Sequence, residues 1–257
     1  MKTLVFVLAS TALVAQQSNP ATQVKLTPSE IAQFDLGKMK GSQVRQLAWS
    51  PDSTQLYLQT VTEDQRALPK DTYHYVMPAA GGTFEKVNAE PDWAIGYWSW
   101  KSGQTAPDDA AFKIEISTDK RIASATAIPM GGDLARGGTD GTANGASVES
   151  VTAAANASTN GTVYSMLLKG EIVGEWVNHA IVPGLTFGWG PAGSHLIAYA
   201  EKSTGRLVIM DSTGARQKIE GTKSVVLPAW TTDGQELAYL EGRGRNKFAV
   251  VIAKVAR

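Results

Sequence analysis

Three histidines, a few neighbouring carboxylates and one tight group of aromatics are the residues whose types could do chemistry in this chain. His74, His179 and His195 are far apart, and no two have the spacing that sets a pair of imidazoles on one metal. Each reads instead as a surface or turn residue. Asp108 and Asp109 fall between candidate strands, and Glu171 and Glu175 follow a Lys169-Gly170 turn. General acid–base catalysis needs two carboxyls facing each other across a substrate, and nothing in these spacings imposes that. A nucleophile elbow, a phosphate loop, a dinucleotide fingerprint and a zinc-protease helix are all absent. Asp140-Gly141 and Asn144-Gly145 lack the carboxylate number of a calcium loop. With no cysteine, the chain has no disulfide, no thiolate zinc site and no lipid-modified thiol. These residues imply no catalytic centre, no metal and no cofactor.

The aromatic group is Trp93, Tyr97, Trp98 and Trp100. Such a cluster can form a stacking surface for a sugar or a peptide. The competing reading is core between sheets, with one tryptophan exposed. Its place along the chain, where a second inner strand is expected, makes 93–100 a predicted strand.

The elements that must position these residues come from a repeat. Leu47–Leu58, Phe187–Tyr199 and Pro228–Tyr239 each run as a strand ending in tryptophan, a tight polar turn, then an apolar strand. The repeated positions are Trp49, Pro51 and Asp52 in the first, Trp189 and Pro191 in the second, and Trp230, Asp233 and Gly234 in the third. Proline suits the second position of such a turn, and Asp or Gly suits the later ones, where left-handed backbone is tolerated. Trp189 and Trp230 stand about 41 residues apart, inside the ~40–45-residue period of a propeller blade. Leu196–Ala200 and Leu207–Met210 are apolar throughout, as strands covered on both faces are.

The Trp-Ser-Pro-Asp turn followed by an apolar strand resembles the TolB-like, WD40-like propeller repeat of the PD40 type. The resemblance spans 44–87 and 183–255 and is weak over 92–178. It implies an all-β fold: a small β-propeller of four, or alternatively five, four-stranded antiparallel blades. The last blade reads as Val225–Trp230, Glu236–Glu241 and Lys247–Val255, one strand short. Ile31–Leu36 is the candidate fourth strand, an N-terminal segment closing the last blade. The domain reading is 1–15 signal peptide, 16–43 N-terminal segment with the closing strand, and 44–257 propeller. Within the propeller, 131–161 is a Gly-, Ala-, Thr- and Asn-rich insertion almost without large apolar residues.

Partner classes follow from charge. The 24 Lys+Arg and 24 Asp+Glu balance, which excludes a broadly basic nucleic-acid-binding protein. Lys2, the apolar run to Val14 and Ala15 before Gln16 read as a secretory signal peptide. No later run is long and apolar enough for a stable membrane span. An exported chain without disulfides fits a bacterial periplasm or secretion. The expected function is a binding or scaffold protein that recognises a protein or peptide partner, as the TolB-like resemblance implies. The alternatives are a propeller enzyme acting on carbohydrate or a small ligand, and a propeller stub that oligomerises to complete its ring. Because 131–161 has no apolar anchors, deleting Gly132–Asn160 is expected to leave the melting temperature almost unchanged. A thermal melt of the deletion variant checks this, and a large loss of stability would mean that the segment is part of a blade.

Overall fold

The computed structural model describes residues 20–63, 69–103, 113–118, 121–126, 163–168, 171–177, 180–181, 187–191 and 194–256. The signal peptide expected at 1–15 and the insertion expected at 131–161 lie outside them.

The chain opens with a short helix α1 (Pro20–Gln23), then β1 (Lys25–Asp35) and a 3-10 turn, Leu36–Lys38. Next come β2 (Gln43–Trp49), β3 (Gln55–Glu63), β4 (Pro69–Pro78) and β5 (Glu85–Val87), then helix α2 (Asp92–Gly103). The middle holds β6 (Lys113–Thr118), β7 (Arg121–Thr126), β8 (Val163–Leu168), β9 (Glu171–Val177) and β10 (Ala180–Ile181). The last two repeats give β11 (Phe187–Trp189), β12 (Leu196–Ala200), β13 (Leu207–Asp211), β14 (Arg216–Lys218), β15 (Val225–Trp230), β16 (Glu236–Gly242) and β17 (Lys247–Ala256).

These strands form three four-stranded antiparallel sheets, the blade-like units that the repeat predicts: β2-β3-β4-β5, β11-β12-β13-β14 and β15-β16-β17-β1. In the last, β1 lies along β17 from Lys25 opposite Ala256 to Asp35 opposite Lys247, so the N-terminal segment supplies the fourth strand. β12 and β13 are buried at every position, as the apolar runs Leu196–Ala200 and Leu207–Met210 require, with Asp211 buried at the end of β13.

Two expectations fail in the middle. The sheet there has five strands, in the order β10-β9-β8-β6-β7, where a four-stranded blade is expected. The two-residue link after β6 forces β7 into a hairpin on one side, and β8 then pairs with the other side of β6. The predicted strand at Trp93–Trp100 is helical instead. Pro91 and Asp92 open α2 with an acceptor carbonyl and an acidic first turn, both favourable at a helix N-terminus. Its buried residues, Ala94 and Tyr97, are three apart, while Ile95 and Gly96 between them face out. A run apolar at nearly every position carries neither a two-residue nor a 3.6-residue period, so its pattern could not distinguish strand from helix.

The repeat residues build the packing between sheets. Trp49, Trp189 and Trp230 are 1%, 4% and 0% exposed. The Trp49 indole N–H donates to the Ala229 carbonyl at 2.9 Å, and the Trp230 indole N–H donates to the Gly188 carbonyl at 3.1 Å. Each therefore reaches the residue that precedes the equivalent tryptophan in the adjoining sheet, and β15 lies between β2 and β11. A Cβ on Gly188 would stand 2.5 Å from the Pro228 carbonyl oxygen, so only glycine permits that approach.

The turns after the tryptophans are near copies. Ser50 Oγ–H donates to Asp52 Oδ1 at 2.6 Å, and Thr231 Oγ1–H donates to Asp233 Oδ1 at 2.6 Å. The same hydroxyls accept from the Gln55 and Glu236 amides. The Ser50 hydroxyl and Thr54 amide hold the Asp52 carboxyl below the usual carboxylate range, and the Thr231 hydroxyl and Gln235 amide do the same for Asp233. Ser53 and Gly234 fill the left-handed position at φ 58° and 71°. Gly234 also sits against Pro191 of the neighbouring turn, where a Cβ would meet Cγ at 2.5 Å.

The N-terminal segment spans two sheets. Ala21 and Val24 are fully buried in the cluster of β12, β13, β15 and β16, and the Ala21 amide donates to Asp211 Oδ2 at 3.2 Å. β1 then continues on to β17.

Trp49→Ala and Trp230→Ala are each expected to cost about 3–5 kcal/mol. Trp230→Phe keeps much of the ring and strands the Gly188 carbonyl, for about 1–3 kcal/mol. Urea melts of the three variants check this; alanine variants as stable as wild type would remove the packing role.

Candidate functional site

Helix α2 brings the predicted aromatic surface into view and places part of it inside. Tyr97 is buried, and its hydroxyl donates to the Trp230 carbonyl at 2.9 Å. Burial pushes its phenol well above the ordinary value. Trp93 is half-buried and packs edge-on to Tyr57, with ring centroids 6.3 Å apart at 85°. Tyr97 is thus unavailable as a binding-surface residue, which corrects that expectation: it pins α2 to the end of an inner strand. The side chains of Trp98 and Trp100 lie outside the described residues. Ile95, on the outer side of α2, is 40% exposed.

Beside Trp93 runs a polar chain. Gln59 Nε2–H donates to the Tyr57 hydroxyl at 3.2 Å, and that hydroxyl lies 2.7 Å from His74 Nδ1. Which of the two donates in that contact depends on the His74 tautomer. His74 is half-buried, not the surface residue that the sequence predicts. Burial depresses its pKa, and the charge of Glu90 partly opposes this. His195 sits exposed in its turn at φ 53°, as expected. His179 lies outside the described residues. Among the described residues, no group of three or more His, Asp or Glu is arranged to hold a metal ion.

Concave surface occurs elsewhere, between the first and last sheets. A cleft of about 670 Å³ is lined by Phe34 and Asp35 of β1, Lys38, Met39 and Lys40 of the following turn, Tyr75 of β4, Phe84 and Lys86 around β5, and Lys247 of β17. Phe34 stacks on Phe248 at 5.4 Å and meets Phe84 edge-on at 5.4 Å. The loop carrying two of the lysines is tied at both ends. The Leu36 amide donates to the Asn246 carbonyl at 2.7 Å. The Lys40 amide donates to Tyr75 Oη at 2.8 Å, and the Lys40 carbonyl accepts from Thr60 Oγ1 at 2.6 Å. Gly41 then turns at φ 96°, hard against Thr60. Asp35, the single carboxylate of the lining, accepts from the Gly37 amide at 2.9 Å. The Lys86 ammonium lies 5.5 Å over the Tyr73 ring.

Sequence reasoning missed this cleft. Its lysines come from β17, β5 and one turn, and a balanced total charge conceals a local excess. Lys38 and Lys40, two apart, are the only adjacent trace of it.

No family model and no curated protein matches the chain. Among solved structures it is similar to TolB from Acinetobacter baumannii, at 14% identity over 84% of this chain and 55% of that one, with a TM-score of 0.29. It is also similar to the Cps50 (Swd1) β-propeller domain of Myceliophteria thermophila, at 11% identity over 93% and 98%, with a TM-score of 0.29. An oligogalacturonate lyase in complex with manganese is 11% identical over 83% and 49%, with a TM-score of 0.25. The chain spans about half the length of TolB and of the lyase. At these TM-scores the likeness transfers no property to this chain.

The lowered pKa of His74 gives an expected acid sensitivity. Its folded pKa is lowered, so the unfolded state binds more protons as pH falls below about 6.5. Stability is full above that value and is lost as pH drops through the folded pKa. The melting temperature is expected to fall between about pH 7 and pH 5, and to fall less in His74→Gln, whose amide can still hydrogen-bond Tyr57 and does not titrate. Equal slopes for the two proteins would remove His74 as the cause.

Proposed function

We propose that this chain is an exported, non-enzymatic binding protein that holds a protein or peptide partner on its blade-like sheets in the periplasm. The observation that carries the reading is the cleft between β1 and β5, whose 36–40 loop is tied at both ends, by the Leu36 amide to the Asn246 carbonyl and by the Lys40 amide to the Tyr75 hydroxyl. A concave site formed before its ligand arrives loses little order on binding. Two repeat carboxylates and the repeat tryptophans have structural roles, while Asp108 and Asp109 lie outside the described residues. Asp52 and Asp233 are bonded within their turns, and the repeat tryptophans pack between sheets. The apolar N-terminal stretch ending at Ala15 supports export.

The test uses the mature chain as bait in the native envelope fraction, with chemical cross-linking. One discrete protein, recovered in fixed proportion and competed by free bait, is the expected result. Failure to capture a partner, together with turnover of a carbohydrate substrate, would replace the reading with an enzymatic one. N-terminal sequencing of protein from the native host is expected to begin at Gln16, and an intact Met1 would overturn export.

A further inference from the structure

We infer that the cleft between β1 and β5 is a site for an acidic peptide segment, an assignment that rests on the binding-protein reading and names the chemistry of the partner. Four lysines, Lys38, Lys40, Lys86 and Lys247, line it against one carboxylate, Asp35. Like charges gathered in one concavity repel each other unless counter-charge is supplied, and low-dielectric walls strengthen both effects. Elsewhere the chain supplies that counter-charge itself. Arg243 pairs with Glu30 at 2.9 Å, Lys218 with Glu201, and Arg206 with Glu220 at 3.5 Å. Among the described residues, none of the four cleft lysines has a carboxylate within ion-pair distance. The net charge of the whole chain is zero, so this excess is local.

The kind of anion follows from the rest of the lining. All four cations are lysines, point charges on long stems, and none is the planar guanidinium that grips one phosphate or carboxylate through two parallel bonds. Such a set suits several carboxylates spaced along a chain. Phe34, Phe84 and Tyr75 offer aromatic surface between the charges, where apolar side chains of the same segment fit.

Backbone decides between a peptide and an acidic saccharide. β1 is the outer strand of its sheet, and beyond it no strand pairs among the described residues. Gln33, Phe34 and Asp35, at its end, line the cleft. An outer strand presents amides and carbonyls that an extended peptide can pair with, and a saccharide has no matching ladder. Toward Ile31 that edge is closed, because Gly81 lies so near that a Cβ on it would be 2.6 Å from the Ile31 carbonyl oxygen. The peptide therefore enters at the Gln33–Asp35 end, among the lysines.

The test is fluorescence anisotropy of a labelled peptide of alternating glutamate and phenylalanine, titrated with the full chain. Binding is expected to weaken as salt rises from about 50 to about 300 mM. The double variant Lys86→Glu, Lys247→Glu is expected to bind at least about tenfold more weakly. Both side chains are exposed, so its melting temperature should stay that of wild type. Lys223→Glu, an exposed change outside the cleft, should bind as wild type does. Undiminished binding by the double variant would overturn the site, and so would stronger competition by a polyuronate than by unlabelled peptide. Cross-linking in the envelope fraction separates the two readings. A partner captured equally by wild type and double variant would overturn the cleft and leave the binding protein standing. Peptide binding abolished by the double variant, with no partner captured by wild type, would do the reverse.

Discussion

Two indole N–H groups donate across sheet boundaries, Trp49 to the Ala229 carbonyl and Trp230 to the Gly188 carbonyl. A buried N–H must find an acceptor or lose the desolvation energy of the group, about 1–3 kcal/mol. Each bond therefore fixes how far apart two inner strands stand and which residues face. The acceptor is always the residue before the neighbouring tryptophan, and it is always small: Ala229 or Gly188, with Ala48 at the same place in the first repeat. A larger side chain there would push the backbones apart and break the bond. The turn is fitted to the same spacing, since Gly234 can lie against Pro191 only when the sheets are this close. The tryptophan, the small residue and the turn are thus one device for setting a sheet-to-sheet distance, repeated along the chain.

That device was legible in the sequence because each copy is local. Tryptophan, proline and aspartate fall within a few positions of each other, and their spacing states the strand–turn–strand unit directly. The outer strand β1 was legible for a different reason, as a deficit: three strands in the last repeat where the others have four. Helix α2 was not, because Trp93–Trp100 is apolar at most positions without a clear period, and its place in the repeat pointed to an inner strand. Its helical state is fixed by what surrounds it, through Pro91 and Asp92 at its start and the Tyr97 bond to Trp230. The cleft was not legible either. Its charges come together only once β1 has crossed to β17 and brought Lys38, Lys40 and Lys247 beside Lys86, and no window of sequence contains all four.

Polar side chains inside the fold divide the same way. Those within a turn, such as Ser50 with Asp52, follow from adjacent residues. Those between strands, such as Gln59, Tyr57 and His74, depend on register and cannot be read before it is known. Register also sets the part-buried surroundings that lower the pKa of His74.

The pairing of β1 with β17 also constrains how the chain comes to be folded. Lys25 lies opposite Ala256, so the last sheet pairs two strands far apart in the sequence. β1 also meets the first sheet, through Phe34 against Phe84, but among the described residues its pairing with β17 has the widest sequence separation. Bringing those ends together carries the largest loop-closure entropy of any pairing here. Docking β1 on β17 thus makes each of the two strands the other's support, so that trimming either one leaves its neighbour with an unpaired edge.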